Sequence, residues 1–356
     1  MFAKKELNCL VIGDMAVKPK LIASCFRKNL EKLTDIKVNF RLMNTGYPRI
    51  VKIYREKGLR EAFGDEGPII DAIRDADILI TNVAPITADV INAGKNLRII
   101  GVTRGGPTNI DLKAATNRGI PVVNAPGRNS DNVADYTIGL IIALSRNIVK
   151  GHISLSQGAW DWKLSESQDT CYELPRKTLG IIGFGQIGKR VTIRARNGFN
   201  MNVLVFDPYV DKNEVEMLGG KVVDLVTLLK KSDIVTLHAR LSAETTGLIG
   251  KEEIGLMKKT AYLINTARSE IVDEGALYEA LKGRRIAGAA IDVFEKEPVD
   301  PQNPLLGLDN IVVTPHIAWI SREMSERAIR TVLKDVIRLL EGKKPFNALN
   351  PEVLAS

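Results

Sequence analysis

The sequence contains few of the residues that mark disulfide-rich, metal-binding or membrane proteins. Its 356 residues include three cysteines, Cys9, Cys25 and Cys171, which are widely spaced and form no CxxC motif. This pattern argues against a disulfide framework or a zinc site and fits a reducing compartment, so we expect no metal. No apolar run reaches membrane-spanning length, and the one near the N-terminus is too short for a signal peptide. We therefore expect a cytoplasmic protein that contacts no membrane.

Basic blocks are also missing, although the formal net charge is +8. Lysine and arginine are scattered and do not interleave with aromatic residues, so we expect no nucleic-acid partner. A composition of 45% hydrophobic and 26% charged residues is typical of an ordinary globular protein. The length allows two domains, each with its own core.

Short apolar segments alternate with helical segments along most of the chain. Examples are the predicted strands Asn8–Ile12, Ala76–Asn82 and Leu97–Val102, each followed by a predicted helix. Unbroken apolar strands in such alternation indicate parallel sheets covered by helices on both faces. The fold class that follows is α/β, with two doubly wound parallel-sheet domains. Residues 44–67 lack clear periodicity, and we interpret them as a loop with at most one helix.

The stretch from Lys177 to Tyr209 carries a glycine turn between a strand and a helix. Gly183 allows the tight turn, Gly185 lets a pyrophosphate approach the backbone, and Gly188 lets the helix pack close to the strand. Asp207 lies 19 residues after Gly188, at the end of the next predicted strand. A carboxylate there can bind ribose hydroxyls and would repel a 2′-phosphate. The stretch therefore predicts a dinucleotide site that favours NAD over NADP.

Charged and titratable side chains follow four later strands, at the edge of a parallel sheet where ligands bind. Arg268 could hold a carboxylate substrate with its bidentate fork, and His316 could accept a proton with Glu297 supporting the ring. Asp292 ends another strand of this group. Each has a purely structural alternative: a surface ion pair for Arg268, a turn for Glu297 and a buried histidine for His316. His238 ranks second as a base and is a better candidate for the wall of the cofactor site.

Residues 129–148 have helical apolar spacing over more than one face, which predicts a helix buried between domains or subunits. Ser130 or Asp131 can cap this helix. The following segment has little periodicity and contains Trp160 and Trp162. A role in the core and a role in an arm exchanged between subunits are both compatible with the two tryptophans.

Several motifs together resemble the D-2-hydroxyacid dehydrogenase family, which includes phosphoglycerate, glycerate and formate dehydrogenases. They are GFGQIG, INTARSEIVDEGAL, AAIDVFEKEP, TPHIA and VVNAPGRNSDNVADYTIGLIIAL. The resemblance implies a flavodoxin-like substrate domain, residues 1–124 and 318–356, and an inserted NAD-binding Rossmann domain, residues 125–317. It also implies a homodimer formed through the helix Ser130–Arg146 and the arm after it.

The resemblance further implies roles for individual residues. Arg268 would bind substrate carboxylate and carbonyl, His316 would be the acid/base with Glu297 behind it, and Asp292 would meet the nicotinamide amide. The expected cofactor contacts are Gly183, Gly185, Gln186, Ile187, Gly188, Asp207, His238, Thr266, Ala267 and Asp292. The expected substrate contacts are Asn82, Val83, Ala84, Arg104, Gly105 and Gly106.

Departures from the family pattern concern the substrate. The chain reads TNVAPIT where phosphoglycerate dehydrogenases carry an arginine for phosphate, and TRGGP replaces the common AGVG, so Arg104 is unusual. Arg104 could replace the missing cation, or it could form a loop ion pair; Arg240 is a second unusual residue. The leading hypothesis is an NAD-dependent oxidoreductase that interconverts a D-2-hydroxy acid, such as 3-phosphoglycerate or a related sugar acid, and its 2-oxo acid. The alternative is a non-catalytic NAD-sensing protein similar to the C-terminal-binding-protein corepressors.

Overall fold

The computed structural model describes residues 6–33, 36–46, 54–166 and 171–354. The chain forms two compact units, one of Met1–Asn129 with Ile320–Ser356 and one of Ser130–Trp319. The second unit is thus inserted between two parts of the first. Each unit has its own hydrophobic cores of buried aliphatic and aromatic side chains.

The first unit is built on a five-stranded parallel sheet. Its strands are β1 (Glu6–Gly13), β2 (Lys37–Asn44), β3 (Ile78–Thr81), β4 (Ile99–Val102) and β5 (Val122–Val123). They lie in the order β2-β1-β3-β4-β5, which is the order of flavodoxin-like folds. Its helices are α1 (Pro19–Leu33), α2 (Glu66–Ala72), α3 (Ala88–Ala93), α4 (Leu112–Asn117) and, from the C-terminal part of the chain, α12 (Arg322–Leu340). The flavodoxin-like prediction for this part of the chain is confirmed.

Local sequence explains why these elements form where they do. Every residue of β3 and β4 is buried, as the unbroken apolar runs predict. Thr87 caps α3 by accepting the Val90 N–H at 3.3 Å, and Asp111 caps α4 by accepting the Ala114 N–H at 2.9 Å. These caps fix where the two helices begin, α3 at Ala88 after the loop that follows β3 and α4 at Leu112 after the loop that follows β4.

The second unit is built on a seven-stranded parallel sheet. Its strands are β6 (Thr178–Ile182), β7 (Asn202–Phe206), β8 (Gly220–Val222), β9 (Ile234–Leu237), β10 (Tyr262–Asn265), β11 (Gly288–Ile291) and β12 (Ile311–Val313). They lie in the order β12-β11-β10-β9-β6-β7-β8, the doubly wound order of dinucleotide-binding folds with one further strand. Its helices are α5 (Ser130–Ser145), α6 (Ile148–Ser156), α7 (Gln186–Phe199), α8 (Lys212–Met217), α9 (Leu225–Lys231), α10 (Lys251–Leu256) and α11 (Glu274–Lys282). The Rossmann prediction is also confirmed.

The helix predicted over 129–148 is present as α5, and a second, unpredicted helix, α6, begins at Ile148. α5 ends at Ser145, and Asn147 has a left-handed φ of 53°, after which α6 runs on to Ser156. Ser130 and Asp131 lie within the first turn of α5, and the prediction that one of them caps the helix stays a prediction. A left-handed residue ends a helix because an L side chain rarely tolerates that conformation inside one.

The two tryptophans after α6 do not lie in a core, which corrects that interpretation. Trp160 is 69% exposed and Trp162 is 71% exposed, and their ring centroids are 5.7 Å apart. None of the nine residues of α6 is buried. Several large apolar side chains therefore lie on the outside of the second unit.

The segment without clear periodicity has a small core of its own. Tyr54, Leu59 and Ala62 are buried together, and the Tyr54 hydroxyl donates to the Gly64 carbonyl at 3.0 Å. One turn of 3-10 helix covers Arg55–Lys57. Residues 47–53 of this segment lie outside the described ranges.

Taken singly, no helix among the described residues is both long and apolar enough to cross a membrane. α5 and α6 together meet the length and composition criteria, with a bend of 66° between them. Nine of the sixteen residues of α5 are buried inside the protein.

Candidate active site

The glycine turn after β6 has two tightly packed glycines and one open glycine. Gly183 has φ 91°, and a Cβ there would overlap the backbone of Ala239. A Cβ at Gly188 would overlap the carbonyl oxygen of Gly183. By contrast, a Cβ at Gly185 would meet no atom within 4 Å. The first and third glycines are therefore required by the turn itself, whereas the second leaves room in front of the backbone that a pyrophosphate could fill.

Helix α7 begins at this open position. Gly185 is its N-cap and no side chain caps the helix; Gln186 and Ile187 form its first turn. The Gln186 side chain accepts a hydrogen bond at 2.8 Å from Arg190, which lies one turn further along the helix. The first backbone N–H groups of a helix have no partner within it, and together with the helix dipole they attract an anion. The turn thus fits the phosphates of a dinucleotide.

Asp207 lies directly after β7, beside the glycine turn. Its Oδ2 accepts the Phe184 N–H at 2.8 Å and its Oδ1 accepts the Tyr209 N–H at 2.9 Å. These two bonds fix the carboxylate next to the turn and leave its remaining lone pairs for further donors. The position fits an acceptor for ribose hydroxyls, and this role stays a prediction.

Arg268 follows β10 in a turn that is held by a residue the sequence analysis did not single out. The buried Asn265 accepts the Ala267 N–H at 3.0 Å and donates to the Arg268 carbonyl at 2.9 Å. Thr266 is also buried, and its hydroxyl lies 3.1 Å from that of Thr137. The Arg268 side chain is exposed, with Nη1 donating to the Ala267 carbonyl at 2.8 Å. An asparagine at the end of an apolar strand was the available signal for this clamp.

Glu297 and His316 form a hydrogen-bonded pair. The Nδ1 of His316 donates to Oε2 of Glu297 at 2.7 Å, and the Phe294 N–H holds the other carboxylate oxygen at 3.1 Å. Burial acts to raise the pKa of Glu297, but the hydrogen bond and charge of His316, with the charge of Arg268, keep this pKa below its ordinary value. Glu297 therefore stays ionised beside the ring. The pairing leaves Nε2 as the ring nitrogen that can exchange a proton with a substrate.

Asp292 holds the segment that carries His316. It is buried after β11 and accepts the Thr314 hydroxyl at 2.6 Å and the N–H groups of Ile317 and Ala318 at 2.9 Å each. These bonds bracket His316, whose backbone has a left-handed φ of 53°. The predicted contact of Asp292 with a nicotinamide stays a prediction, whereas its anchoring of this segment is a role that the sequence analysis missed.

His238 follows β9 at the same edge of the sheet, but its surroundings differ from those of His316. Its Nε2 lies 3.0 Å from the Thr236 hydroxyl, and its buried Nδ1 has no hydrogen-bond partner among the described residues. Burial lowers the pKa of His238 to about 3, so the ring is neutral near pH 7. A neutral, enclosed ring suits a wall of the cofactor site better than an acid/base, and that role stays a prediction.

The predicted substrate residues Asn82, Val83 and Ala84 are buried in the first unit. The Asn82 side chain is 2% exposed; it donates to Asp14 Oδ2 at 2.7 Å and accepts from Arg128 Nη1 at 2.8 Å. This polar network uses the side chain of Asn82 inside the unit. The proposed substrate contact of these three residues stays a prediction.

Arg104, Gly105 and Gly106 lie after β4. Arg104 forms an ion pair with Glu61, whose backbone carbonyl also accepts from Arg104 Nη1 at 3.1 Å. The N–H groups of Gly105 and Gly106 donate to no described residue, and a Cβ at Gly106 would meet nothing within 4 Å. The loop ion pair that the sequence allowed for Arg104 is present, and two open backbone donors follow it.

Over the described ranges, no group of three or more histidine, cysteine, aspartate or glutamate side chains could hold a metal ion. Arg268, Glu297 and His316 belong to one unit and follow β10, β11 and β12, which are neighbours in its sheet. The glycine turn follows β6 of this sheet, and all four groups lie at its carboxyl edge because the strands are parallel. The second unit therefore brings a dinucleotide-type turn, an arginine and a carboxylate–histidine pair to one edge.

Residues 138–318 match the family described as "D-isomer specific 2-hydroxyacid dehydrogenase, NAD binding domain". D-3-phosphoglycerate dehydrogenase of Archaeoglobus fulgidus is 44% identical over 273 residues, which are 77% of this chain and 51% of that protein. A glyoxylate reductase of Korarchaeum cryptofilum is 40% identical over 296 residues, 82% of this chain and 89% of that protein. The chain spans about half the length of the phosphoglycerate dehydrogenases that it matches.

The fold also resembles that of solved structures. D-lactate dehydrogenase from Aquifex aeolicus, solved with NAD and lactic acid, has 26% sequence identity and a TM-score of 0.70, and the match covers 96% of this chain and 99% of that one. The family match, the relatives and the two sheet orders agree with one another. The chain therefore belongs to the D-isomer specific 2-hydroxyacid dehydrogenase family, with an NAD-binding domain over residues 138–318.

Proposed function

We propose that this protein is an NAD-dependent D-2-hydroxyacid dehydrogenase. The observation that carries the proposal is the 2.7 Å pair between Glu297 and His316. The Glu297–His316 pair lies at the same edge of the sheet as the exposed Arg268 and the open glycine of the cofactor turn. An acid/base, a cation for a carboxylate and a dinucleotide turn are the groups that oxidation of a 2-hydroxy acid requires.

The chain's own residues perform the proton and charge steps. In the oxidation, Nε2 of His316 accepts the hydroxyl proton while the C2–H bond breaks and the C2=O bond forms. NAD+, when bound, supplies the acceptor for the hydride that leaves C2. Arg268 binds the substrate carboxylate and polarises the reacting oxygen, and Glu297 stabilises the imidazolium that results. In the reduction, the same imidazolium returns the proton to the oxygen.

The alternative of a non-catalytic NAD-sensing corepressor is less well supported. The relatives reported above bear the names of a dehydrogenase and a reductase, and their substrates by name are phosphoglycerate and glyoxylate. We infer that the substrate is a D-2-hydroxy acid of this size range, such as 3-phosphoglycerate or a related sugar acid. We also infer a preference for NAD over NADP, because Asp207 would repel a 2′-phosphate.

We further propose a homodimer in the cytoplasm. The exposed apolar side chains of α6 and the two tryptophans after it support self-association, since large apolar patches on a surface mark interaction sites. Three free cysteines support a reducing compartment.

A panel of 2-oxo acids tests the proposed activity. Glyoxylate, hydroxypyruvate and 3-phosphohydroxypyruvate are each offered with NADH and with NADPH. At least one acid should be reduced with NADH, with a smaller kcat/KM for NADPH. His316→Ala should lower kcat by about 10² to 10⁴. Arg268→Met should raise KM for the acid and also lower kcat, because Arg268 polarises the reacting oxygen. Both variants should retain NAD binding.

Arg284→Met is the matched control, because Arg284 is an exposed arginine of the same unit that pairs with Asp309. Its kinetic constants should equal those of the wild type. Absence of turnover with every acid and both cofactors would contradict the proposed activity. Copurification of a DNA-binding partner at unchanged NAD affinity would then favour the corepressor alternative.

A further inference from the structure

Helix α5 supports the strands of the second unit that lead to the proposed catalytic groups. It packs against β10, β11 and β12, the strands that precede Arg268, Asp292 and His316. Nine of its sixteen residues are buried, and Asp131 in its first turn accepts Nε of Arg190 of α7 at 3.0 Å. Because α5 is fixed by packing and by this ion pair, it can hold another segment in place.

A buried pair of hydroxyl groups joins α5 to the turn after β10. Thr137 is 0% exposed and Thr266 is 8% exposed, and their Oγ1 atoms lie 3.1 Å apart. Thr137 Oγ1 also donates to the Val133 carbonyl at 2.8 Å, and a carbonyl oxygen can only accept. The single hydroxyl hydrogen of Thr137 is used in that bond, so the Thr266 hydroxyl is the donor to Thr137.

The guanidinium of Arg268 is set against the same turn. Its Nη1 donates at 2.8 Å to the carbonyl of Ala267, the residue that follows Thr266. Asn265 holds the turn from within the strand, and the Thr266 hydroxyl adds a bond to the neighbouring helix. A shift of Thr266 would therefore move the carbonyl that orients the guanidinium.

Backbone bonds hold the chain where it leaves the turn. The Ile249 N–H donates to the Ile271 carbonyl at 3.0 Å, and the Asp273 N–H donates to the Ile249 carbonyl at 3.0 Å. These bonds lie three or more residues after Arg268, whereas the bond to α5 acts on residues 266–268 themselves. A variant without the Thr137 hydroxyl would leave the Thr266 hydroxyl without its acceptor in a buried position, which favours rearrangement of the turn.

We propose that Thr137 is a positioning residue for Arg268: its hydroxyl accepts that of Thr266 and thereby fixes the turn that presents the guanidinium to the substrate carboxylate. In this role Thr137 acts through Thr266 and Arg268 and does not itself contact the substrate. This inference rests on the proposed dehydrogenase function and adds a residue of α5 to the groups on which substrate binding depends.

Steady-state kinetics with NADH and the 2-oxo acid that has the highest kcat/KM in the panel measure this role. Thr137→Val keeps the shape of the side chain and removes the hydroxyl, so it should lower kcat/KM about three- to tenfold, the effect of one hydrogen bond. Thr137→Ser retains the hydroxyl and should recover most of the loss. Thr266→Val breaks the same bond from the other side and should lower kcat/KM at least as much, so it reports even where Thr137→Val fails to fold.

The background of Arg268→Met separates positioning from a general structural effect. Because Thr137 acts through Arg268, Thr137→Val should change kcat/KM by less than about twofold once Arg268 is replaced. A role in packing alone would lower kcat/KM by the same factor in both backgrounds. Ser145→Ala is the control, since it removes another buried hydroxyl of α5, which has no hydrogen-bond partner among the described residues. Its kinetic constants should equal those of the wild type.

Hydrogen exchange gives an outcome that does not depend on turnover. The Ala267 N–H donates to Asn265, so its exchange rate reports on the turn. Thr137→Val should raise this rate at least about threefold, whereas Thr137→Ser and Ser145→Ala should leave it unchanged.

The positioning role and the dehydrogenase proposal fail in different ways. With 2-oxo acids still reduced, an unchanged kcat/KM in Thr137→Val, or equal losses in the two backgrounds, would overturn the positioning role and leave the dehydrogenase proposal standing. Absence of turnover with every acid would contradict the dehydrogenase proposal. In that case equal exchange of the Ala267 N–H in the wild type and Thr137→Val would also overturn the role of Thr137 in fixing the turn, and faster exchange in Thr137→Val would support it.

Discussion

At the scale of single residues, the surroundings of each histidine decide whether it can transfer a proton. His316 has an ionised carboxylate at 2.7 Å on Nδ1 and leaves Nε2 for the substrate. His238 is enclosed with a pKa lowered to about 3 by burial, and no carboxylate of the described part of the chain bonds its ring. The same side chain is thus suited to the proposed acid/base role in one place and to a neutral wall in the other.

Glu297→Gln should weaken acid catalysis by His316. A neutral amide no longer stabilises the imidazolium that gives its proton to the substrate oxygen. We expect kcat for 2-oxo acid reduction at pH 7 to fall by about tenfold or more. The Kd of NADH should stay constant.

kcat for the reduction of a 2-oxo acid at pH 7 is the measurement, and Glu295→Gln is its control. Glu295 is an exposed glutamate of the same turn, and the contact it makes with Glu274 comes from its backbone N–H, which the substitution retains. An unchanged kcat in Glu297→Gln would show that the carboxylate does not support the proton transfer.

His238 should make the protein less stable in acid. Its ordinary pKa is 6.5 and its folded pKa is about 3, so between these values the unfolded chain binds a proton that the folded chain does not. The free energy of unfolding therefore decreases as the pH falls from about 6.5 toward 3. His238→Gln removes this titration, and its free energy of unfolding should depend less steeply on pH.

Urea unfolding at several pH values between 7 and 4 measures this dependence. The exposed His152 supplies the control His152→Gln, whose slope should match that of the wild type. Equal slopes for wild type and His238→Gln would contradict the assignment of a buried neutral ring.

At the scale of elements, the glycine turn separates residues needed for folding from a residue needed for binding. Gly183 and Gly188 pack against backbone atoms, whereas space is open around Gly185. Only Gly183 of these three has the positive φ that an L side chain rarely adopts. The turn therefore has a structural part and a part that faces a ligand.

Alanine should lower stability at Gly183 and weaken NAD binding at Gly185. Gly183→Ala should lower the free energy of unfolding by about 1–3 kcal/mol, because of backbone strain and overlap with Ala239. Gly185→Ala should leave Tm unchanged but raise the Kd of NAD at least about tenfold, since its methyl group would fill the space in front of the turn. Differential scanning calorimetry and NAD titration measure the two effects.

Gly198→Ala is the control on the same helix. Gly198 lies in α7 with no atom within 4 Å of its Cβ position, so alanine there should raise stability by up to about 1 kcal/mol and leave NAD affinity constant. A Kd for NAD unaffected by Gly185→Ala would contradict the binding role of the open glycine.

The elements that sequence patterns predicted poorly are short or lie on the surface. α8 and β8, six and three residues long, were not predicted. Neither is long enough for a hydrophobic period to be recognised, and both are stabilised by packing at the edge of the sheet. α6 was missed for a different reason: its apolar residues face outward, so they show no division into buried and exposed faces.

At the scale of the whole molecule, the exposed apolar side chains after α5 are the surface that a partner subunit would bury. Ile148, Ile153 and Leu155 of α6 are exposed, together with Trp160 and Trp162. Single exposed apolar residues are common, but these five lie within residues 148–162, and clusters of large exposed apolar side chains are typical of an interface. This group is the surface on which the proposed homodimer depends.

Glutamate substitutions on this surface should dissociate the proposed homodimer. Leu155→Glu and Trp160→Glu should each lower the mass in solution toward that of a monomer at micromolar concentration, because an unpaired charge is costly in an apolar interface. Light scattering after size exclusion gives the mass. Met217→Glu, a change at an exposed apolar residue of α8, should leave the mass unchanged. Equal masses for all four proteins would contradict this interface.

The sequence by itself determined the parts of this protein that depend on local pattern. Apolar runs located the strands at the centres of both sheets, because a strand buried on both faces admits few polar residues. The glycine spacing with Asp207 identified the dinucleotide turn, because that turn has few steric solutions. Arg268 and His316 were identified because they follow predicted parallel strands, and ligands bind at the carboxyl edge of such a sheet.

Only the tertiary structure decided which distant residues meet. The bonds from Asp292 to both sides of His316 and the pairing of Arg104 with Glu61 join different segments of the chain. Local sequence reports whether a segment is buried, but a hydrogen bond between segments depends on sheet order and register, which arise from packing of the whole unit. The exposure of the tryptophans after α6 was likewise decided by how the unit packs, since an aromatic residue suits a core and an interface equally well.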